Sequence, residues 1–537
     1  RLLPDIPSWL APSDPAVIDG FFRGNTSLYD PVILRGWAIP VLSWSVFIFA
    51  IFWTLLCAMT LMRRPWVEDE RLTFPLVVLP LEMTGGTEAS GTPFWKSPLM
   101  WTGFLIAALL ESTNFLNFLI PNFPVVPIKP SMGQNALHNL ELFKVRPWNT
   151  MGTLYLSFYP FAIGIGYLLS LEVSFSCWFL YLMTKVATIF CYVVGISDGV
   201  GGGPGNRAPF LKEQAVGSFI GIALFSAWAA RKALADAWRE MERPTGADRN
   251  ELMSFRLAIL GGLIGIAFLI VFLLSAGLSP TVAIIFVFVY ICFALTLARI
   301  VSEAGAGWAW APPWSVAAFT GDSVGISSLS PKETTVLLGY LSWTSDMRDN
   351  PMPQAAQQVK IAQLAAFSPR AYLAPLLIAA AAGILLAFWA HLDIYYEFGA
   401  SSAKVRPALV GASKNASNYA ATLLATPTGQ DMTGLIAAGF GTLIAVGLSV
   451  MRQLFPWWPL HPLGYALATT QSMEYMWFPF FLAWFVKRII LRYGGIRAYR
   501  TGLPFFLGLI LGDYIVPTLW GIFGMLSGYQ QYMAFPH

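Results

Sequence analysis

Apolar runs of roughly 18–25 residues recur along the chain, separated by shorter polar stretches. That spacing suits helices crossing a hydrocarbon core of about 30 Å at ~1.5 Å per residue. The clear runs are Trp37–Met62, Trp101–Ile120, Met151–Leu169, Val173–Val194, Phe210–Trp228, Leu257–Leu274, Thr281–Ile300, Tyr372–Ala390, Leu435–Met451 and Pro504–Met525. Residues 1–36 read as a loop or interfacial segment, and 121–149 and 393–431 as polar loops. Residues 308–350 are too apolar for a loop and too broken by Pro, Gly and Ser for one span. They read as short or re-entrant helices. Residues 353–367 interleave Ala, Ile and Leu with Gln and Lys, as a surface or cavity-side helix does.

Three interruptions fall where the pattern demands continuous membrane. The strongest is Phe455–Tyr465, FPWWPLHPLGY, whose Pro456, Pro459 and Pro462 forbid a regular helix. Phe74–Leu81, FPLVVLPL, is a fainter echo, and each of the two stretches is reached from an arginine, Arg452 and Arg71. Residues 195–208, GISDGVGGGPGNRA, form the third. Irregular backbone at membrane depth must pack inside protein or line a wet cavity. Paired breaks in two parts of one hydrophobic chain point to a transporter-like internal repeat. The expected fold is an all-α polytopic membrane protein. It has about 12–14 transmembrane or re-entrant segments in two related halves, 37–302 and 303–537, forming one membrane domain.

Composition agrees with a membrane protein. Of 537 residues, 56% are hydrophobic and 12% charged, about half the charge of a soluble domain. The formal charge of +4 is small and sits in loops, so it speaks to topology and not to nucleic acid. Basic clusters at 231–256 and 487–500 predict cytoplasmic loops. Residues 1–30 lack the apolar core of a secretory leader, and the chain begins with Arg1, which leaves room for a preceding segment.

The four cysteines all lie in apolar runs without C-x-x-C spacing and read as buried small hydrophobes. Of the four histidines only His391 and His461 lie near membrane depth, which argues against a haem. No metal-ligand cluster, Walker A motif or G-x-S-x-G elbow is present, so no cofactor, no metal and no enzymatic activity are expected.

Ionisable groups inside spans are costly and mark function by default. Lys185 lies near the middle of a run. It is a structural ion pair, a transport residue, or a snorkelling lysine at a misplaced span. Glu111 suits proton binding or pairing, with Asn114 one turn on. Arg299 and Glu303 are four apart, as a helix-end salt bridge or as a gate beside the AGAG segment. Asp513 is a helix-pairing or proton-binding carboxyl. Asp198, Gly203, Arg207 and Glu213 belong to the Gly-rich break and the helix after it. That break is a flexible loop, or an anion site built from backbone N–H groups. His461, Trp457 and Trp458 would contact a central site if FPWWPLHPLGY lines it; the alternative for His461 is a packed histidine bonded to a freed carbonyl.

Several stretches together resemble uncharacterised prokaryotic membrane proteins similar to the oligopeptide transporter (OPT) superfamily. They are ERLTFPL, EQAVG at Glu213–Gly217, ARIVSEAGAG ending at Gly307, FPWWPLHPLGY, and LRYGGIRAYRTGLPFFLGLILG. The resemblance covers residues from about 37 to 528. It implies a many-span helical fold of two related halves with broken helices at the centre. It also implies proton-coupled movement of peptides or related solutes. The Asn-Pro-Gly motif of that superfamily is replaced here by Gly-Pro-Gly-Asn at 203–206. The expected partners are membrane lipids, protons, a small-molecule or peptide substrate, and a second copy or a membrane complex. The rival expectation is a non-catalytic subunit of a larger membrane assembly.

Overall fold

The computed structural model describes residues 6–85, 93–129, 136–197, 207–348, 350–365, 367–405 and 407–528. Among the described residues there are helices and no strands; two isolated bridges pair Ala136 with Tyr155 and Ser197 with Arg207. In chain order the α-helices are α1 (Pro15–Arg23), α2 (Pro31–Arg64), α3 (Pro75–Met83), α4 (Pro98–Leu119), α5 (Glu141–Lys144), α6 (Pro160–Leu168), α7 (Leu171–Val193), α8 (Leu211–Ala229), α9 (Arg231–Glu242) and α10 (Phe255–Ala276). They continue as α11 (Pro280–Ala304), α12 (Val316–Val324), α13 (Pro331–Thr334), α14 (Pro351–Leu364), α15 (Leu373–Phe398), α16 (Pro407–Ala425), α17 (Met432–Leu454), α18 (Pro462–Ala468) and α19 (Gln471–Ser527). Many open on proline, which has no N–H to lose in the first turn. Side chains of Asp14, Asp30, Ser97, Ser170, Ser254 and Asn350 accept the freed backbone N–H groups.

Among the described residues eight helices are long and apolar enough to cross a membrane, α2, α4, α7, α10, α11, α15, α17 and α19, with α2 and α15 each taking a short flanking turn; α8 and α9, bent by 57°, pass the same test only as a pair. This is fewer than the apolar pattern predicts, and the differences have local causes. The run Met151–Leu169 is helical only from Pro160. The backbone before it is held by the preceding loop instead: Leu154 N–H donates to His138 Nδ1 (3.2 Å) and Phe158 N–H to the Ile128 carbonyl (2.9 Å). The polar stretch 393–431 is no loop throughout; it carries the end of α15 and all of α16, which buries Ala420 and Leu423. The basic segment 487–500 is no loop either. The helix runs through it, broken only at Gly495, where φ is 63° and ψ −165°. At ~1.5 Å per residue α19 would extend roughly 85 Å, far more than one crossing of about 30 Å, and Gly495 divides it. Residues 308–350 form the short helices that their broken pattern predicts.

Contacts group the chain into two compact units. One comprises 1–71, 226–298 and 314–436; the other comprises 72–225, 299–313 and 437–537. Each is therefore assembled from separated stretches of the chain.

In the first unit α2 packs along α10. Trp53 Nε1 donates to the Gly261 carbonyl (3.1 Å), and Gly261 and Gly265 leave room for Trp53 and Thr54. Tyr396 is fully buried and ties α1 to α15: its hydroxyl donates to the Val17 carbonyl (2.9 Å) and accepts from Trp37 Nε1 (2.7 Å). At the end of α2, Arg63 makes a two-pronged ion pair with Glu251, Nε to Oε2 at 2.5 Å and Nη2 to Oε1 at 2.6 Å. Both side chains are buried. Glu240 accepts from the Thr245 hydroxyl (2.6 Å) and from the N–H groups of Thr245, Gly246 and Ala247. These donors hold its carboxyl below the usual carboxylate range.

The second unit is organised by α19. Its Gly508 and Gly512, four apart, face Gly103 and Ala107 of α4, a small-residue seam that lets two backbones approach closely. A Cβ on Gly508 would overlap the Met100 carbonyl, and one on Gly103 the Phe505 carbonyl. Gly508→Ala is therefore expected to destabilise the protein by ~1–3 kcal/mol, since backbone cannot yield as a side chain can. Gly521 of the same helix has nothing within 4 Å of such a Cβ, so Gly521→Ala is the control. Thermal unfolding of both purified variants checks this; equal midpoints would dismiss the seam.

Lys487, buried on α19, donates to the carbonyls of Tyr167 (2.9 Å) and Leu169 and closes the C-terminal end of α6. The rings of Tyr167 and Tyr499 flank its ammonium at 5.8 and 4.6 Å. Its role as a loop charge is thus replaced by a structural one. All four cysteines are free and buried.

Candidate functional site at the end of helix α11

α11 ends in Arg299-Ile-Val-Ser-Glu303-Ala304, and a helix end leaves carbonyls without intrahelical partners. The first Pro-broken stretch supplies them. Phe74 N–H donates to the Ser302 carbonyl (2.8 Å) and Thr73 Oγ1 to the Glu303 carbonyl (2.9 Å). Phe74 adopts a φ of 44°, which turns the chain into α3 at Pro75. Gly305 follows α11 with φ 57°; a Cβ there would lie 3.1 Å from Pro75 Cβ. A left-handed residue under another chain segment calls for glycine.

The second broken stretch arrives at the same helix end. α17 stops at Leu454, and α18 opens at Pro462 with His461 as its cap. His461 N–H donates to Ser176 Oγ (2.8 Å), and its Nδ1 accepts from Leu463 N–H (3.2 Å). With Nδ1 used as an acceptor, the ring proton resides on Nε2, which donates to Glu303 Oε1 at 2.9 Å. Arg452 Nη1 lies 3.1 Å from the same oxygen, and Arg299 Nε 3.4 Å from Oε2. Glu303 and His461 are 5% and 1% exposed, so this carboxylate is buried among two guanidiniums and an imidazole. Arg452 is more open and also lies 3.8 Å from the Glu172 carboxylate.

The structure thus brings together Arg299, Glu303 and His461. The expected local pair of Arg299 with Glu303 exists, but as one side of a larger cluster. Arg452 and Ser176 were not anticipated as members; the position of an arginine immediately before each break was the only signal. Trp457 and Trp458 do not join them. Trp457 is 71% exposed and Trp458 half-buried, while the Pro459 carbonyl beside them accepts from Ser176 Oγ (3.1 Å), the side chain that also holds His461.

The other candidates divide into separate places. Glu111 on α4 and Asp513 on α19 are buried neighbours, both 1% exposed. Lys129 Nζ lies 3.3 Å from Glu111 Oε2, and Phe161 N–H donates to Asp513 Oδ2 (2.8 Å). Asn114 is a positioning residue here: its Nδ2 donates to the carbonyls of Leu110 (2.8 Å) and Val126 (2.9 Å), anchoring the segment that carries Lys129. Sequence reading missed Lys129, which sits in a Pro-rich loop and not in a run.

Lys185 lies over the Tyr181 ring at 5.0 Å, with Glu474 as its neighbouring carboxylate; Glu474 accepts from the Thr153 hydroxyl. Arg207 pairs with Glu213 at 2.9 Å. Beside Glu213, Gln214 Oε1 accepts from the Tyr465 hydroxyl (2.6 Å), which ties the start of α8 to the second break. Asp198 and Gly203 lie outside the described residues, as does most of the Gly-rich break. No group of three or more His, Cys, Asp or Glu suited to a metal occurs among the described residues.

Eight helices of this length and apolarity belong in a bilayer, and with no strand among the described residues the chain is an integral, all-α polytopic membrane protein. It belongs to a family of unknown function, DUF6785, whose model matches residues 1–536. No curated protein matches it.

Proposed function

We propose that the protein is a secondary transporter, coupled to protons, that moves small peptides or related solutes by alternating access. One observation carries this reading: both Pro-broken stretches converge on the end of α11, around a buried carboxylate held by Arg299, Arg452 and His461. Broken helices and charges gathered at one point are what secondary transporters use to bind and release a solute. Charge inside a membrane protein is expensive and is kept where it acts. In this reading Glu303 holds the two arginines in the absence of solute, and a solute carboxylate competes for the more open Arg452. The two broken stretches are the matching elements of an OPT-like repeat. The protein sits in the bacterial cytoplasmic membrane with residues 231–256 and 487–500 towards the cytoplasm.

Reconstitution in vesicles tests this. Solutes from a panel of peptides and metal chelates should accumulate when a pH gradient is imposed and stop when it is collapsed. A panel in which nothing moves under the gradient rejects the transporter reading.

A further inference from the structure

We propose that Glu111 and Asp513 form a proton-binding site, one exchangeable proton shared between the two carboxyls with Lys129 as the counter-charge. The two groups come from different helices, α4 and α19, brought into register by the glycine seam one turn away. Two of the oxygens have donors: Lys129 serves Glu111 Oε2, and Phe161 N–H serves Asp513 Oδ2. Glu111 Oε1 is buried and has no donor among the described residues. A bare carboxylate oxygen beside a second carboxylate, both 1% exposed, is not tolerable without a proton between them.

The charge count agrees. Two ionised carboxylates and one ammonium leave a net negative charge in a buried place; one proton makes the cluster neutral. Among the described residues two further titratable groups act on it. They are Lys129 from the 121–129 segment and Tyr514, next to Asp513 on α19. Burial pulls the Lys129 ammonium below its ordinary value, and the two carboxylates pull it back. Lys129 keeps 12% of its side chain exposed, so the cluster has a route to water through this residue. The shared proton belongs to the pair and not to either residue alone.

The site itself stands on geometry; only its use as the coupling site rests on the transporter reading. Infrared difference spectroscopy of the purified full chain in lipid nanodiscs, titrated in H2O and D2O, tests it. At neutral pH the spectrum should hold a deuterium-sensitive carbonyl band of a protonated carboxylic acid. Both Glu111→Gln and Asp513→Asn should remove it, because each leaves one carboxylate opposite Lys129. A missing band, or one that survives both substitutions, overturns the proposal. If neither variant folds, Lys129→Met decides: without the counter-charge the band must persist to higher pH than in the unsubstituted protein, and an unchanged titration overturns the site. A band that behaves as expected in a protein that transports nothing leaves the proton site standing and removes the transporter reading; gradient-driven uptake without the band does the reverse.

Discussion

Glu303→Ala is expected to abolish gradient-driven uptake and to cost about 3–5 kcal/mol of stability, the range for removing one partner of a buried ion pair. The reason is the company Glu303 keeps. Without its carboxylate, His461 Nε2 loses its buried acceptor and Arg299 loses its ion-pair partner on α11, while the half-open Arg452 can turn to Glu172. That escape, and the solvent screening around it, places Arg452 among the smaller contributors. Glu303→Gln separates the two effects. Its amide oxygen still accepts from His461 Nε2, so the cap of α18 stays, but the charge facing the arginines is gone. The glutamine variant should unfold at a temperature closer to that of the unsubstituted protein and still fail to transport. Unfolding midpoints beside uptake measure both. Full uptake by Glu303→Gln would show that the cluster is scaffolding.

The second large effect is expected in the other compact unit. Glu251→Ala leaves the Arg63 guanidinium buried with only the half-exposed Glu68 as a partner, at 2.8 Å. The cost is again about 3–5 kcal/mol. Because the pair is buried and two-pronged, replacing both residues by apolar ones should restore most of the loss. Arg63→Met with Glu251→Leu is therefore expected to be more stable than Glu251→Ala alone. Unfolding of Arg63→Met, Glu251→Leu and the double variant closes the cycle, and additive losses would mean that the pair contributes nothing as a pair.

Much of the architecture was legible in the chain because a bilayer imposes one strong rule, that long apolar runs become helices. The positions of α2, α4, α7, α10, α11 and α17 follow from it within a few residues. The misses arise where that rule is silent. Leu154 and Phe158 are apolar enough for a span, yet their N–H groups serve the loop before them, a long-range choice that no local pattern records. Lys487 looks like a topology signal and is instead a cap for another helix. The polar composition of 407–425 hides a helix, for a mixed pattern of Ala, Ser and Asn has no strong period.

The site was partly legible for the same reason. Glu111, Glu303, His461 and Asp513 stand out as polar groups in apolar surroundings, and all four are buried. Their partners were not visible. Arg452 and Lys129 sit at edges of runs, where a basic residue is ordinary, and only folding brings them to their carboxylates. Trp457 is exposed and Trp458 half-buried, as suits a tryptophan in a break, which belongs as naturally to the outside of the bundle as to its centre.

The burial of Cys57, Cys177, Cys191 and Cys292 has a practical side. With no thiol at the surface among the described residues, the native chain already serves as a quiet background for maleimide probes. A single cysteine introduced at exposed Arg249 or Arg497 would then carry the only accessible tag, and a membrane-impermeant quencher would read which face of the vesicle each arginine occupies.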